Sequence, residues 1–471
     1  MHSSPDRAAP ERTLLILSLG TIAFALGQTL IIPAIPDIKE SFGASSSAAA
    51  WVVTAYFLTA SISTPIAGRL GDMFGKRKML AVSLALFAAG CLLSALGTSL
   101  EVIVAGRALQ GLGGGVFPLS FGIIRDEFPA DRVPASIGLL GATAGVGGGI
   151  GLPLGGLIAD NASFSWIFWI SAAVGLLAVA TTLLYVPESP LRSPGRVDVR
   201  GALVLSVGLA LPLLAVSQAT SWGWTSTRTL GLLAVGLLIL AAWVRLEQRT
   251  PDPLVNMRTL AQRTVLTTDI ATFLVGFGLF GSFVLIPQLA QLPKDTGYGF
   301  GFSATQAGLL LAPSALLNLF LSPLSGRMGG RLGARVPLAI GCITATASLG
   351  LLAVAHGSPT ITLAWAALLG VGVGFAFSAM PNLIIEAVDR HETGEATGVN
   401  TIARNVGASL GSAVGGSVLA SDVLGSGLPT DSAFTAALAI SAGGSLVAAL
   451  AAMTIPARRS IGAPEVAAAH G

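Results

Sequence analysis

Apolar residues in this chain run in long stretches that are hydrophobic on every side, separated by short breaks rich in glycine, proline and charge. A stripe on one face would predict a surface helix and strict alternation a strand. Unbroken runs of about 20 residues instead predict helices that cross a bilayer core roughly 30 Å thick. Fourteen are predicted, over residues 12–33, 48–68, 78–98, 101–123, 136–158, 164–186, 200–218, 229–245, 264–288, 303–326, 334–355, 359–381, 398–420 and 434–455. The breaks are short, so the expected architecture is an all-α integral membrane protein with no soluble domain.

Composition agrees with the pattern. Charged residues make up 10% of the 471 and hydrophobic ones 53%, whereas water-soluble proteins carry about 25% charge. A soluble enzyme and a nucleic-acid-binding protein are thereby excluded, and the net charge of +3 says less than where the charges lie. With the N-terminus inside, 21 of the 26 basic residues fall on the inner side, among them Arg7, Arg69, Lys76, Arg77, Lys78, Arg132, Arg192, Arg196, Arg327, Arg458 and Arg459. Lys39, Arg228 and Lys294 fall outside. This asymmetry predicts a multi-pass protein of the plasma membrane with both termini in the cytoplasm.

An internal repeat divides the chain. Gly68-Arg69-Leu70-Gly71-Asp72-Met73-Phe74-Gly75-Lys76-Arg77 follows the second predicted span, and Gly326-Arg327-Met328-Gly329-Gly330-Arg331-Leu332-Gly333-Ala334-Arg335 follows the tenth, 258 residues later. Both stretches read as inner loops. The repeat predicts two pseudo-symmetric six-helix bundles, residues 1–190 and 259–471, around an inserted helix pair at 191–258. This is the two-halved plan of a secondary transporter, with its site between the halves.

Two further features point to function. The fifth span carries Gly141, Gly145, Gly149 and Pro153 at steps of four, with Gly155 and Gly156 beyond, a stripe that lets another helix come close and a proline that favours a bend. Gly407, Gly411 and Gly415 in the thirteenth span form the stripe expected to answer it. Charge within a bilayer is costly and marks function. Arg107, Asp269 and Arg404 lie inside predicted spans, and Asp269 and Arg404 are expected to pair within the second half.

These residues resemble the major facilitator superfamily, specifically its fourteen-helix drug:proton antiporter branch. The likeness rests on Trp51-Val52-Val53-Thr54-Ala55-Tyr56 leading into Gly68 through Lys78, on Gly106-Arg107-Ala108-Leu109-Gln110-Gly111, on the glycine-rich fifth span and on Trp222-Gly223-Trp224. It implies that Asp72 pairs with a neighbouring helix end and an arginine to latch the halves, and that Arg107 serves proton coupling. It also implies export of amphipathic drugs or antibiotics by alternating access, driven by protons. The expected partners are thus a small-molecule substrate, the proton and the lipid bilayer, for a working monomer without nucleic acid, metal or cofactor.

There are departures. Gly330 stands where the second copy would match Asp72, so a latch should be asymmetric, and Pro153 falls one place late for the branch's antiporter pattern. Gly27-Gln28-Thr29-Leu30-Ile31-Ile32 lacks the Asp and Asn that many members carry in the first helix. Proton coupling through that carboxylate is excluded, which leaves Asp269 as the deepest acid. A carrier without proton coupling, an exporter of one metabolite and a non-transporting sensor or scaffold are the competing readings. No ATP-binding loop or zinc-protease motif is present, and His391-Glu392-Thr393-Gly394-Glu395 reads as a loop.

Overall fold

The computed structural model describes residues 8–189, 191, 198–425 and 427–456. Arg7, Arg192, Arg196, Arg458 and Arg459 of the charge asymmetry lie outside them. In chain order the helices are α1 (Ala8–Thr29), α2 (Ile35–Ser41), α3 (Ser46–Phe74), α4 (Lys76–Ala95), α5 (Leu100–Gly111), α6 (Val116–Glu127), α7 (Val133–Asn161), α8 (Ser165–Tyr185) and α9 (Val199–Trp222). They continue as α10 (Thr227–Glu247), α11 (Met257–Leu260), α12 (Arg263–Gln291), α13 (Ala304–Leu309), α14 (Ala312–Leu332), α15 (Arg335–Val354), α16 (Pro359–Ala387), α17 (Thr393–Ser421) and α18 (Asp431–Thr454).

Among the described residues, 12 helical runs are long and apolar enough to cross a membrane. In three of them a short break joins two helices, α1 with α2, α5 with α6 and α13 with α14. α3 and α17, at 29 residues each, are long enough to cross but are not among those twelve. α17 is buried along Thr393–Gly398 and again at Asn400, Thr401 and Asn405, because it packs among helices instead of facing lipid.

The predicted loops of the repeat are mostly helix. α3 runs on through Arg69 and Asp72 to Phe74, and the whole turn is made by Gly75, at φ 109° and ψ 129°. Gly333, 258 residues on, closes α14 with φ 85° and ψ 137°. An L side chain rarely adopts that φ, so both turns require glycine. Gly68 and Gly326 match in the same way: a Cβ on Gly68 would collide with the Gly394 carbonyl of α17, and one on Gly326 with the Pro134 carbonyl of α7. The repeat therefore places two equivalent helix crossings, α3 on α17 and α14 on α7.

Packing follows the chain. One apolar core is built around Leu17, Phe24, Tyr56, Leu84, Phe87 and Phe117, and another around Leu289, Phe300, Leu338 and Phe434. The inserted pair, α9 and α10, has a smaller core in which Leu205, Leu209 and Trp243 meet Leu58 and Ile66 of α3 and Ile402 of α17. It covers the α3–α17 crossing, and Trp224 Nε1 donates to Ser417 Oγ at 2.6 Å to tie its turn to α17.

Along α7, Gly141 faces the Phe377 carbonyl of α16, Gly145 faces Asn318, and Gly149 faces Ala315 of α14, while Gly155 lies on Leu30 and Gly156 on Thr305. Pro153 sits inside a helix that runs unbroken from Val133 to Asn161. The expected partner stripe does not face it: Gly407 and Gly411 pack on the Phe273 and Phe277 carbonyls of α12, whereas the α7 stripe packs on α14 and α16. A methyl added at Gly149 has no room, so Gly149→Ala is expected to cost about 1–3 kcal/mol of stability. Gly350→Ala, where nothing lies within 4 Å, should be neutral. Thermal unfolding of the purified variants compares the two.

Candidate functional site

At the end of the bundle that carries the repeat, three side chains of the first half reach the turn between α16 and α17. An α-helix leaves N–H groups free at its start and carbonyls free at its end, with partial positive and negative charge respectively. Asp72 Oδ2 accepts from the backbone N–H of Gly394 (3.1 Å) and Glu395 (3.3 Å) in the first turn of α17. Arg125 does the opposite at the end of α16, donating to the carbonyls of Val388 (2.6 Å) and Asp389 (2.9 Å) and to Thr393 Oγ1. Arg69 Nη1 lies 3.4 Å from Glu395 Oε2. An acid thus meets a helix start and a base a helix end, the favourable sense for both dipoles.

Behind this contact the first half braces itself. Lys76 is fully buried, with Nζ 3.3 Å from Asp72 Oδ1 and 2.6 Å from Asp126 Oδ2. The ion-pair partner of Asp72 is Lys76, while Arg125, which also feels the Asp72 charge, donates to the end of α16. Arg77 pairs with Glu188 at 3.7 Å, and the Glu188 carboxylate also accepts the N–H of Arg77 and Lys78 at the start of α4. Gly75 is required there, since a Cβ would stand 2.7 Å from Glu188 Oε1. In the second copy only Pro134 lies near Gly330, so the contact is one-sided.

The segment 391–395 read from sequence as a loop instead holds the start of α17, and its acids are part of the site. Asn256 donates to Glu392 (2.7 Å) and Glu395 (3.3 Å), and Thr259 donates to Glu392 (2.9 Å). The segment that follows the inserted pair is thereby fastened to the same turn as Asp72. Thr-Gly-Glu after a predicted break is a helix-start signal that could have flagged it.

Arg107 lies inside the first half and is 1% exposed. Its Nε donates to the Val52 carbonyl (2.9 Å) and its Nη1 to the Gly27 carbonyl (2.7 Å) and Gln110 Oε1 (2.7 Å), with the Tyr56 ring 4.3 Å away. Nη2 has no hydrogen-bond partner. The first-helix departure now has a physical reason: a Cβ on Gly27 would stand 2.6 Å from the Phe87 ring, so that ring occupies the place of the missing carboxylate.

Asp269 and Arg404 are not among the ion pairs of the described residues. Asp269 Oδ1 accepts from Asn400 Nδ2 (2.8 Å), which also lies 2.9 Å from Thr272 Oγ1. Arg404, one turn further along α17, sets its guanidinium 5.9 Å from the Phe117 ring and 5.2 Å from the Phe377 ring. The site as a whole is a charged contact at one end of two helical bundles, with single buried charges further inside each half, which is the form of a membrane carrier.

The comparisons with known proteins agree. The Major Facilitator Superfamily model matches residues 17–287 and 268–469. The chain is 31% identical over 412 residues to the Multidrug resistance protein Stp of Mycobacterium tuberculosis, covering 87% of this chain and 75% of that protein. It is 30% identical over 421 residues to the Tetracenomycin C resistance and export protein of Streptomyces glaucescens (88% and 77% covered). To Multidrug resistance protein 3 of Bacillus subtilis it is 28% identical over 422 residues (88% and 81%). The crystal structure of the human organic anion transporter MFSD10 (TETRAN) shares the fold at a TM-score of 0.68 and 16% identity, covering 95% of this chain and 100% of that one. The chain belongs to the Major Facilitator Superfamily: it is a multi-pass membrane transporter and not an enzyme.

Asp72→Asn keeps the shape of the contact and removes its charge. Hydrogen bonds to a charged group contribute roughly 1.5–3 kcal/mol, and about 1.4 kcal/mol is a factor of ten. The variant should insert normally and transport at least about tenfold more slowly; vesicle flux normalised to inserted protein measures this.

Proposed function

We propose that the chain exports amphipathic small molecules, drugs or antibiotics among them, across the plasma membrane by proton-driven alternating access. In this reading fourteen helices cross the membrane, α3 and α17 with the other twelve, and both termini are cytoplasmic. The units 1–190 and 259–471 move against each other as a monomer, with 191–258 riding on the α3–α17 crossing. The observation that carries the reading is the contact of Asp72 with the first turn of α17, which holds the halves together at the end rich in basic residues. The multidrug and export names of the relatives support the direction and the cargo class.

In this account Gly68, Arg69, Asp72, Gly75, Lys76 and Arg77 form the gate that closes the cytoplasmic side. Gly141, Gly145, Gly149, Pro153, Gly155 and Gly156 make α7 the hinge on which the other crossing turns. α17 joins the parts: its first turn is held by Asp72, its second carries Asn400 against Asp269, and its third carries Arg404. Protonating Asp269 removes a charge from the membrane interior and turns the charge-assisted bond from Asn400 into a weaker neutral one, so the proton acts on the helix that the gate holds. Arg107 keeps the first bundle polarised around Gly27 and Val52.

Flux of amphipathic antibiotics and dyes of both charge signs from proteoliposomes, with and without an imposed pH gradient, tests the proposal. The gradient should accelerate the wild type several-fold, and Asp269→Asn should keep downhill flux while losing the response. Wild-type flux indifferent to the gradient would rule out proton antiport.

A further inference from the structure

The two interior arginines differ in what is left for them to bind. Arg107 is sealed, with carbonyls, a glutamine and a ring around it, so it adds positive potential without reaching a cargo. Arg404 is partly exposed, and its buried Nε has no acceptor. Asp269, the acid that the sequence places at a similar depth, is engaged by Asn400. Arg404 is therefore a cation inside the bundle with no carboxylate among the described residues paired to it, and the two rings repay only part of the cost of holding it there.

The rings say where this cation points. Phe117 belongs to α6 in the first half and Phe377 to α16 in the second, and both are buried. Arg404 faces inward, at a place where both halves contribute a wall. A molecule bound there touches both, as alternating access requires of its cargo.

We propose that Arg404 anchors an anionic group on the transported molecule, and that Phe117 and Phe377 take its aromatic part, so that the preferred cargo is an aromatic carboxylate or a comparable flat oxyanion. A guanidinium offers a planar fork that matches a carboxylate, and flanking rings favour a flat apolar body. A cationic amphiphile would meet the Arg404 guanidinium and feel the positive potential of Arg107 as well. The proposal rests on the export reading and names its substrate class.

Binding tests it independently of transport. The full chain, purified in detergent, is titrated calorimetrically with 1-naphthaleneacetate, 1-naphthaleneacetamide and 2-(1-naphthyl)ethylamine. The wild type should bind the carboxylate at least about tenfold more tightly than the amide, and the amine most weakly. Arg404→Gln should remove the carboxylate's advantage while leaving amide affinity unchanged, which also shows that the variant is folded. Phe117→Leu should weaken carboxylate and amide alike. Equal affinity for the three probes, no binding of any of them, or an anion preference that survives Arg404→Gln would overturn the proposal. A pH gradient without effect on flux bears on the export reading, because these titrations involve no gradient.

Discussion

The first turn of α17 is the constraint on which the rest of the structure depends. Its free backbone N–H groups meet a carboxylate from the other half of the molecule, at a place where Gly68 and Gly394 let the two helices come together. Helix starts bind anions without help from side chains, so a single acid suffices to join two bundles. Arg125 applies the mirror-image logic to the end of α16, and the two contacts fix both sides of one turn. Lys76 and Asp126 keep the buried acid from standing alone.

Much of this was legible in the sequence. Apolar runs and basic breaks indicated a multi-pass helical protein, and the 258-residue repeat located the two crossings. The repeat also held what its glycines do: Gly75 and Gly333 share one backbone conformation, and Gly68 and Gly326 share one kind of close approach. What the sequence hid was partnership. Glycine and charge suggested a loop over Gly68–Arg77, yet a buried amphipathic helix end looks the same in one dimension. Asp269 and Arg404 have the types and depths of an ion pair, but their helices turn them towards Asn400 and towards two phenylalanines. Glu392 and Glu395 read only as loop residues, and Asn256 gave no signal, because their meaning lies in contacts across more than a hundred residues.

The interior charges carry a second lesson. Absence of the first-helix acid looks like a lost function until Phe87 is seen in its place and the Gly27 carbonyl is seen holding Arg107. The first bundle is thus organised around a cation with neutral partners. The second half holds its interior charges on α12 and α17, where Asn400 engages Asp269 and the buried Nε of Arg404 is left without an acceptor among the described residues. One helix consequently carries the gate contact, the Asn400 amide against Asp269, and Arg404, so a change at any of them is felt by the others through a rigid rod.

The central claim is that Asp72 on the start of α17 holds one end of the molecule shut. Electron–electron distance measurements in lipid report that directly. Spin labels go at Phe74 and Arg390, both exposed at that end, after Cys91 and Cys342 are replaced by serine. The account predicts a short, narrow distance distribution for this protein and a long component that grows in Asp72→Asn. An unchanged distribution in Asp72→Asn would contradict it.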